Sequence, residues 1–368
     1  MLWKLAVVVA VACAFSSEGQ VTVPVVSTTN RLVRIAASNL SSGNGQSYEA
    51  PGIRILQGLK PDIIAMQEFN YAGNTTTDIQ SLVNQLTFTN GSSWFRETGY
   101  SIPNGIISRW PILASGSWVD SDTGVNDRGF AWARIDLPGT NDLYVVSIHL
   151  KASSGSANEL RREAQATQLK GLIQSNFPAN AWIVVAGDLN TYNTNEASIQ
   201  ILGTFLKTSP DAVDNLGDPD TNFGRSSPYD HVYASYTLST NQVATVIGAA
   251  SYPNGLVFDS RVFTPLSAVS PIESRDSGAT GMQHMAVLKD FSIPYLVTNH
   301  VSLYPPLLSQ EPPNRLRWNA PSNLVFQVET SATLSAWASA GAPSASGTNY
   351  TFTNFSTAPL LFFRLRYP

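Results

Sequence analysis

The sequence is short of cysteine, of charge and of histidine, and each shortage excludes something. Cys13 is the only cysteine in 368 residues, so no internal disulfide can form and a cysteine-built zinc site is ruled out. Charged residues make up 13% of the chain, well below the usual quarter. They leave a net charge of −4, so no global field draws the protein to nucleic acid or to an anionic membrane, and only a local basic patch could. No stretch is apolar for long enough to span a bilayer. The 43% hydrophobic content is ample for a large core, and the length suits about two domains. With few charges and many Ser, Thr and Asn, the surface reads as extracellular.

Residues 1–20 read as a secretion signal. Lys4 supplies the positive start, Leu5 to Phe15 a short apolar stretch, and Ala12-Cys13-Ala14 a small-residue cleavage site. Ala10-Val-Ala-Cys13 also loosely resembles a lipobox, which would anchor the protein through lipidated Cys13. The expectation is therefore a secreted, extracellular or periplasmic protein, with lipid anchoring as the alternative.

Two apolar, β-branched runs organise the rest of the chain. Leu143 to Leu150 releases His149 at its end, and Ala181 to Asn190 releases Asp188 and Asn190. Ligand sites of α/β sheets gather at such carboxyl ends. Arg31 to Asn39 and Asp62 to Glu68 repeat the pattern, ending in Asn39 and Glu68. Helical spacing appears over 48–59, at Ile79, Leu82, Val83 and Leu86, over 157–174 and over about 196–206. From Trp94 to Leu150 short strand-like runs punctuated by Gly, Pro and Asn predict a β-meander. Residues 209–225 read as a long loop, and 229–235 as a strand carrying Asp230 and His231. The predicted fold is α+β: a four-layer α/β/β/α sandwich over 31–293, then a linker at 294–311 and a small all-β sandwich over 312–368.

Asn39, Glu68, His149, Asp188, Asn190, Asp230 and His284 thus form a constellation of acids, amides and histidines. Singly, each has an ordinary reading: Asn39 and Asn190 as turn formers, Glu68 as an exposed strand terminus, Asp188 as a loop cap, His149 as a satisfied core histidine. Together, and without cysteine, they suit a hard, oxygen-ligated cation, Mg2+ or Mn2+ with Ca2+ as a further option. The matching chemistry is phosphoryl transfer to water, with a metal neutralising charge, an Asp positioning water and a His stabilising the phosphate.

Gln67-Glu68, Ser147-Ile-His149, Gly187-Asp-Leu-Asn190, Tyr229-Asp230 and Gln283-His284-Met-Ala-Val287, in that order, resemble the endonuclease/exonuclease/phosphatase (DNase I-like) superfamily over about 31–293. The resemblance implies Glu68 and Asn39 as metal ligands, Asp188 orienting or activating water and Asn190 holding the phosphate. It implies His149 and His284 as donors to phosphate oxygens, with Asp230 fixing the His284 tautomer. Arg128 matches a phosphate-contacting arginine, and Asn104 a pocket-lining residue. Where the family has Ser-Asp-His, this chain has Met282-Gln283-His284, so Gln283 would ligate only through a neutral carbonyl and Asp276 is the nearest compensating acid. Phe326 to Thr330, Leu334 to Trp337 and Phe362 to Leu365 resemble a fibronectin-like β module of secreted bacterial proteins.

The resemblance implies a monomeric phosphodiesterase, foremost a nuclease acting on DNA or RNA. A sphingomyelinase-like or small-substrate phosphodiesterase is the alternative, and a catalytically weakened surface-binding protein the second. The only basic pair, Arg161-Arg162, reads as a solvated helix face.

Overall fold

The computed structural model describes residues 21–86, 92–122, 124–139, 141–303, 309–311, 315–320, 322, 324–331, 336–353 and 362–366. The expected signal segment at 1–20, with Cys13, lies outside them. The chain divides into two compact units, one spanning Thr28–Leu296 and the other built mainly from Val297–Pro368.

In chain order the first region runs β1 (Val21–Ser38), α1 (Ala50–Leu59), β2 (Ile63–Met66), α2 (Thr76–Leu86), β3 (Ser93–Arg96) and β4 (Gly105–Ser108). It continues β5 (Ile112–Trp118), β6 (Phe130–Ile135), β7 (Leu143–His149), α3 (Ser156–Asn176), β8 (Trp182–Asp188), α4 (Ala197–Leu202) and β9 (Leu206–Lys207). It closes with β10 (Asp230–Ser235), α5 (Tyr236–Ser239), β11 (Gln242–Val243), β12 (Thr245–Ile247), β13 (Ala250–Tyr252), β14 (Leu256–Phe258) and β15 (Ala286–Leu303).

These strands form two main sheets. The first has the order β11-β15-β1-β2-β4-β3 with β14 on β15, the second β5-β6-β7-β8-β10-β9. Side-chain alternation along each strand sorts the apolar residues into three layers. Val33, Ile35 and Ala65 of the first sheet meet Ala131, Val145 and Val184 of the second between the sheets. Ala36, Ile64 and Met66 turn the other way, onto Ile55 and Leu56 of α1 and Ile79 and Leu82 of α2. Val146, Ile148 and Val185 turn outward onto Ala166, Leu169 and Ile173 of α3 and Ile199 of α4. The result is the expected α/β/β/α sandwich. Every large aliphatic side chain in these layers contributes about 1.5–3 kcal/mol through burial.

The expected meander is divided between the sheets. β4 pairs with β2 and β3 with β4 in the first sheet, while β5, β6 and β7 lie in the second. Both inner faces carry the same apolar alternation, so periodicity could not show that the chain crosses over at Arg109 to Pro111. The helix expected to reach residue 206 stops at Leu202, and Leu206–Lys207 pairs with β10 instead.

The strand entered at Ala286 continues to Leu303, through the stretch read as a linker. Pro294 does not end it. β11 and β14 pair with β15 only across Ala286–Phe291, so these two ladders do not need an N–H at 294; β1 is the neighbour on the other side of β15.

The second region contains β16 (Ser309–Glu311), β17 (Arg315–Asn319), β18 (Gln327–Ser331), β19 (Ala338–Gly341), β20 (Ser344–Ser346), β21 (Asn349–Thr353) and β22 (Phe362–Arg366). They form a sheet β16-β17-β21-β20 and a sheet β19-β18-β22. Trp318 and Tyr350 of the first share a core with Val328 of the second and with Phe326. The Trp318 and Tyr350 rings stack at 5.8 Å, and Phe326 meets Tyr350 edge-on at 5.0 Å.

Candidate active site

Strand direction brings the polar tips together. β1 and β2 run parallel with Ser38 beside Met66, so Asn39 and Glu68 emerge at one end of the first sheet. β7 and β8 run parallel with His149 beside Asp188. β10 is antiparallel to β8 and starts there, with Asp230 opposite Asp188. His284 lies just before β15.

Asp188 is the centre. One of its oxygens, Oδ2, lies 3.1 Å from His149 Nε2 and 3.5 Å from His284 Nε2, and it accepts from Asn39 Nδ2 at 3.1 Å. The other, Oδ1, accepts from the Asn190 backbone N–H at 2.8 Å. His284 Nδ1 in turn pairs with Asp230 Oδ2 at 2.9 Å, and Thr221 Oγ1 donates to the same oxygen at 2.9 Å. The Asn190 side chain donates to the Leu150 carbonyl at 3.2 Å, with its backbone left-handed at φ 51. These side chains are all buried.

Burial and charge compete on each titratable group. Burial raises the Asp188 carboxyl, but the imidazoles of His284 and His149 outweigh it and hold the group below its usual range. Burial lowers His284, and the carboxylates of Asp230 and Asp188 outweigh it and push the imidazole up to about 10. Asp230 goes the other way: burial raises it to about 6 against the pull of His284. At neutral pH the centre is therefore an imidazolium clasped between two carboxylates.

Asp188, Asp230 and His284 place ligand-capable atoms within 4.8 Å of one another. Within the trio His284 Nδ1 pairs with Asp230 Oδ2 and its Nε2 lies 3.5 Å from Asp188 Oδ2, so in the absence of an ion the three form a hydrogen-bonded acid–base chain. Glu68 and Asn39 fit a cation better. Glu68 sits at φ 50, a left-handed conformation costing about 1–2 kcal/mol, and Ser41 Oγ and Gln46 Nε2 hold its carboxylate. Asn39 Nδ2 lies 3.4 Å from Glu68 Oε1, while Asn39 Oδ1 is buried without a partner. A carboxylate beside an unsatisfied amide oxygen suits a hard divalent ion.

Three sequence-picked residues stand outside the hydrogen bonds around Asp188. Asn104 donates its amide to the Gly129 carbonyl at 2.7 Å, and Arg128 Nε pairs with Asp127 at 3.0 Å. None of their hydrogen bonds among the described residues reaches Asp188, although Arg128 Nη1 is buried without a partner. Gln283 is exposed. Its backbone carbonyl accepts from Phe223 N–H at 2.7 Å, and among the described residues none of the hydrogen bonds that hold Glu68 and Asn39 comes from its side chain. Asp276 is no substitute, because its buried carboxylate is bound by Arg54.

The Arg161-Arg162 pair is also spent. Arg161 holds Asp122 at 2.7 Å, and Arg162, fully buried rather than solvated, holds Glu196 at 2.8 Å. His231, next to Asp230 in sequence, belongs to the interior, with Tyr233 Oη 2.8 Å from its Nδ1.

Some supporting residues carried a sequence signal without an assigned role. Gln67 Nε2 donates to Ser147 Oγ at 2.8 Å, which donates to the Met66 carbonyl at 2.9 Å, lacing the two sheets together under the site. Gly187 is needed there: its φ is +144, and a Cβ would lie 2.1 Å from the Ile148 carbonyl and 2.6 Å from Gln67 Nε2. Thr221, Ser41 and Gln46 had no signal; they lie on loops and become visible only through their contacts.

A four-layer sandwich with two histidines, three carboxylates and a hard-oxygen corner at its strand ends defines a site for hydrolysing phosphoric esters. The chain belongs to the Endonuclease/Exonuclease/phosphatase family, whose model matches residues 51–270, and is accordingly a metal-dependent phosphoric ester hydrolase. The matched span includes Glu68, His149, Asp188, Asn190 and Asp230; Asn39 and His284 lie beyond it and are brought in by β1 and β15.

Among solved structures the chain is similar to an endonuclease/exonuclease/phosphatase from Beutenbergia cavernae DSM 12333, at 15% identity over 91% of this chain and 96% of that one, TM-score 0.47. It is also similar to an AP endonuclease from Archaeoglobus fulgidus, at 14% identity over 71% and 100%, TM-score 0.47. A third is the human Nocturnin catalytic domain with bound sulfate anion, at 14% over 75% and 98%, TM-score 0.47. No curated protein matches significantly. Among the described residues no helix is long and apolar enough to cross a membrane.

Proposed function

We propose that this protein is a secreted, monomeric, divalent-metal-dependent nuclease that cleaves phosphodiester bonds of DNA or RNA with water. The observation that carries the reading is the position of Asp188 Oδ2, shared by His149, His284 and Asn39, with Glu68 one amide away.

Glu68 and Asn39 would hold the ion, Mg2+ or Mn2+, which when bound neutralises charge building on the phosphate. Asp188 orients the attacking water. A carboxylate held so low is a weak base in the resting site, so its first contribution is placement, and it receives the proton as the water oxygen bonds to phosphorus; the ester P–O bond breaks with its electron pair going to the departing sugar oxygen, which takes up a proton as it leaves. His284, kept protonated by Asp230, donates through Nε2 to a phosphate oxygen, as His149 does from the opposite side. Asn190 fixes the phosphate, and Arg128, whose buried Nη1 has no partner, is the arginine proposed to contact a phosphate. Tyr229 lies against His284 at 5.7 Å and Tyr192 against Tyr229 at 5.3 Å; this aromatic wall suits a nucleoside beside the phosphate. The C-terminal unit, with its two small sheets around Trp318, serves as a fibronectin-like attachment module.

Purified protein with Mg2+, Mn2+ or Ca2+ is to be given plasmid DNA, RNA, sphingomyelin and bis-p-nitrophenyl phosphate, beside Asp188→Ala. Nucleic acid cleavage that falls about 10²–10⁴-fold in the variant is expected. Lipid hydrolysis without nucleic acid cleavage would replace the nuclease reading with the sphingomyelinase one. Equal turnover by both proteins would remove the assignment of Asp188, and no turnover by either would favour a surface-binding protein.

A further inference from the structure

We infer that Phe223 is a stacking platform for an unpaired nucleobase next to the scissile phosphate, so that the enzyme acts on single-stranded or locally opened nucleic acid; this rests on the nuclease reading. Phe223 is 46% exposed, an unusual place for a large ring on a tightly tied loop. The loop belongs to the site. Thr221 holds Asp230, Asn222 forms a backbone bridge with His284, and Phe223 N–H donates to the Gln283 carbonyl. The loop therefore borders the residue we assign to the phosphate, and it carries the exposed ring.

The ring is also braced from behind. The Arg261 guanidinium lies 5.0 Å from the ring centroid and donates to the Phe223 carbonyl at 3.0 Å, while Asp259 fixes Arg261 at 2.8 Å. Arg225, two residues on, is tied to Asp214, Asp218 and Asp259. Such a ring is pre-ordered, and binding a planar partner costs little further entropy. The partner is a base: stacking needs only a π face, tolerates any sequence, and continues the order guanidinium, phenyl ring, base. A base paired within a duplex is already stacked on its neighbours and does not present that face. A lipid chain would need continuous apolar surface, and the chain neighbours of the ring are Asn222 before it and Gly224, Arg225 and Ser226 after it.

The test compares two short single strands of equal length with Mg2+, one carrying bases and one built of base-free deoxyribose units, on wild type, Phe223→Ala and Phe223→Trp. Wild type should prefer the base-bearing strand in kcat/KM. That preference should fall about 5- to 150-fold in Phe223→Ala, the loss of one base–aromatic stack, and return in Phe223→Trp. An unchanged preference in Phe223→Ala while wild type cleaves nucleic acid would overturn the platform alone. Wild type cleaving neither strand nor any other nucleic acid would overturn the nuclease reading and the platform with it.

Discussion

Asp230 and His231 are neighbours on β10, and the histidines they concern have opposite chemistry. His284, held by Asp230, is buried and driven up to about 10 by two carboxylates. His231 is equally buried but faces Pro228, Tyr233 and the Lys289 side, and burial drives it down to about 4. Burial alone gives the second result; only a paired negative charge reverses it. The difference separates a site from a core: one face of the strand end keeps a proton in place for chemistry, and the other keeps it out.

The comparison can be broken first at Asp188. Asp188→Asn should cut hydrolysis about 10²–10⁴-fold in steady-state assays, and a loss below tenfold would remove the acid from the reaction. Next in size is the metal corner. Chelation should abolish activity and Mg2+ or Mn2+ restore it, while Glu68→Ala should raise the metal concentration for half-maximal rate by at least about 10- to 100-fold.

The third test reads the two histidines through stability. A raised folded pKa means that the folded state of metal-free protein binds the His284 proton more tightly than the unfolded chain does. Its stabilisation is full below about pH 6.5 and is lost as pH rises through about 10. Asp230, raised to about 6, acts in the same direction at lower pH. Melting of the chelated protein should therefore shift downward across pH 6.5–10, and His284→Gln should flatten that limb. The sign reverses for His231. Its lowered pKa means that stability is lost as pH falls from 6.5 through about 4, and His231→Gln should flatten this acid limb while leaving the alkaline one. Equal pH profiles in the two variants would erase the contrast. The smallest effect is expected at Gln283: Gln283→Ala, on an exposed side chain, should change apparent metal affinity by no more than about twofold.

Much of the site was legible in the chain because strand alternation and polar strand ends are local signals. Asn39, Glu68, His149 and Asp188 could be picked from runs of buried residues that end in polar ones, Asp230 from the start of one, and all of them meet. The exposure of Gln283 beside buried His284 was not legible, because adjacency in sequence says nothing about orientation: successive side chains of an extended segment point opposite ways. The division of the meander between two sheets was invisible because both inner faces ask for the same apolar pattern. Arg162 was misread because its partner, Glu196, is 34 residues away.

The sequence by itself determined which chemistry was available: hard oxygen donors, two histidines at strand tips and no thiol beyond Cys13. It also determined Gly187, whose meaning emerged once Gln67 was seen pressing on it from the other sheet. What only the tertiary structure decided is which of these groups are charged. A protonation state depends on burial and on the nearest opposite charge, and for His284 those charges, on Asp188 and Asp230, come from strands 96 and 54 residues away in sequence.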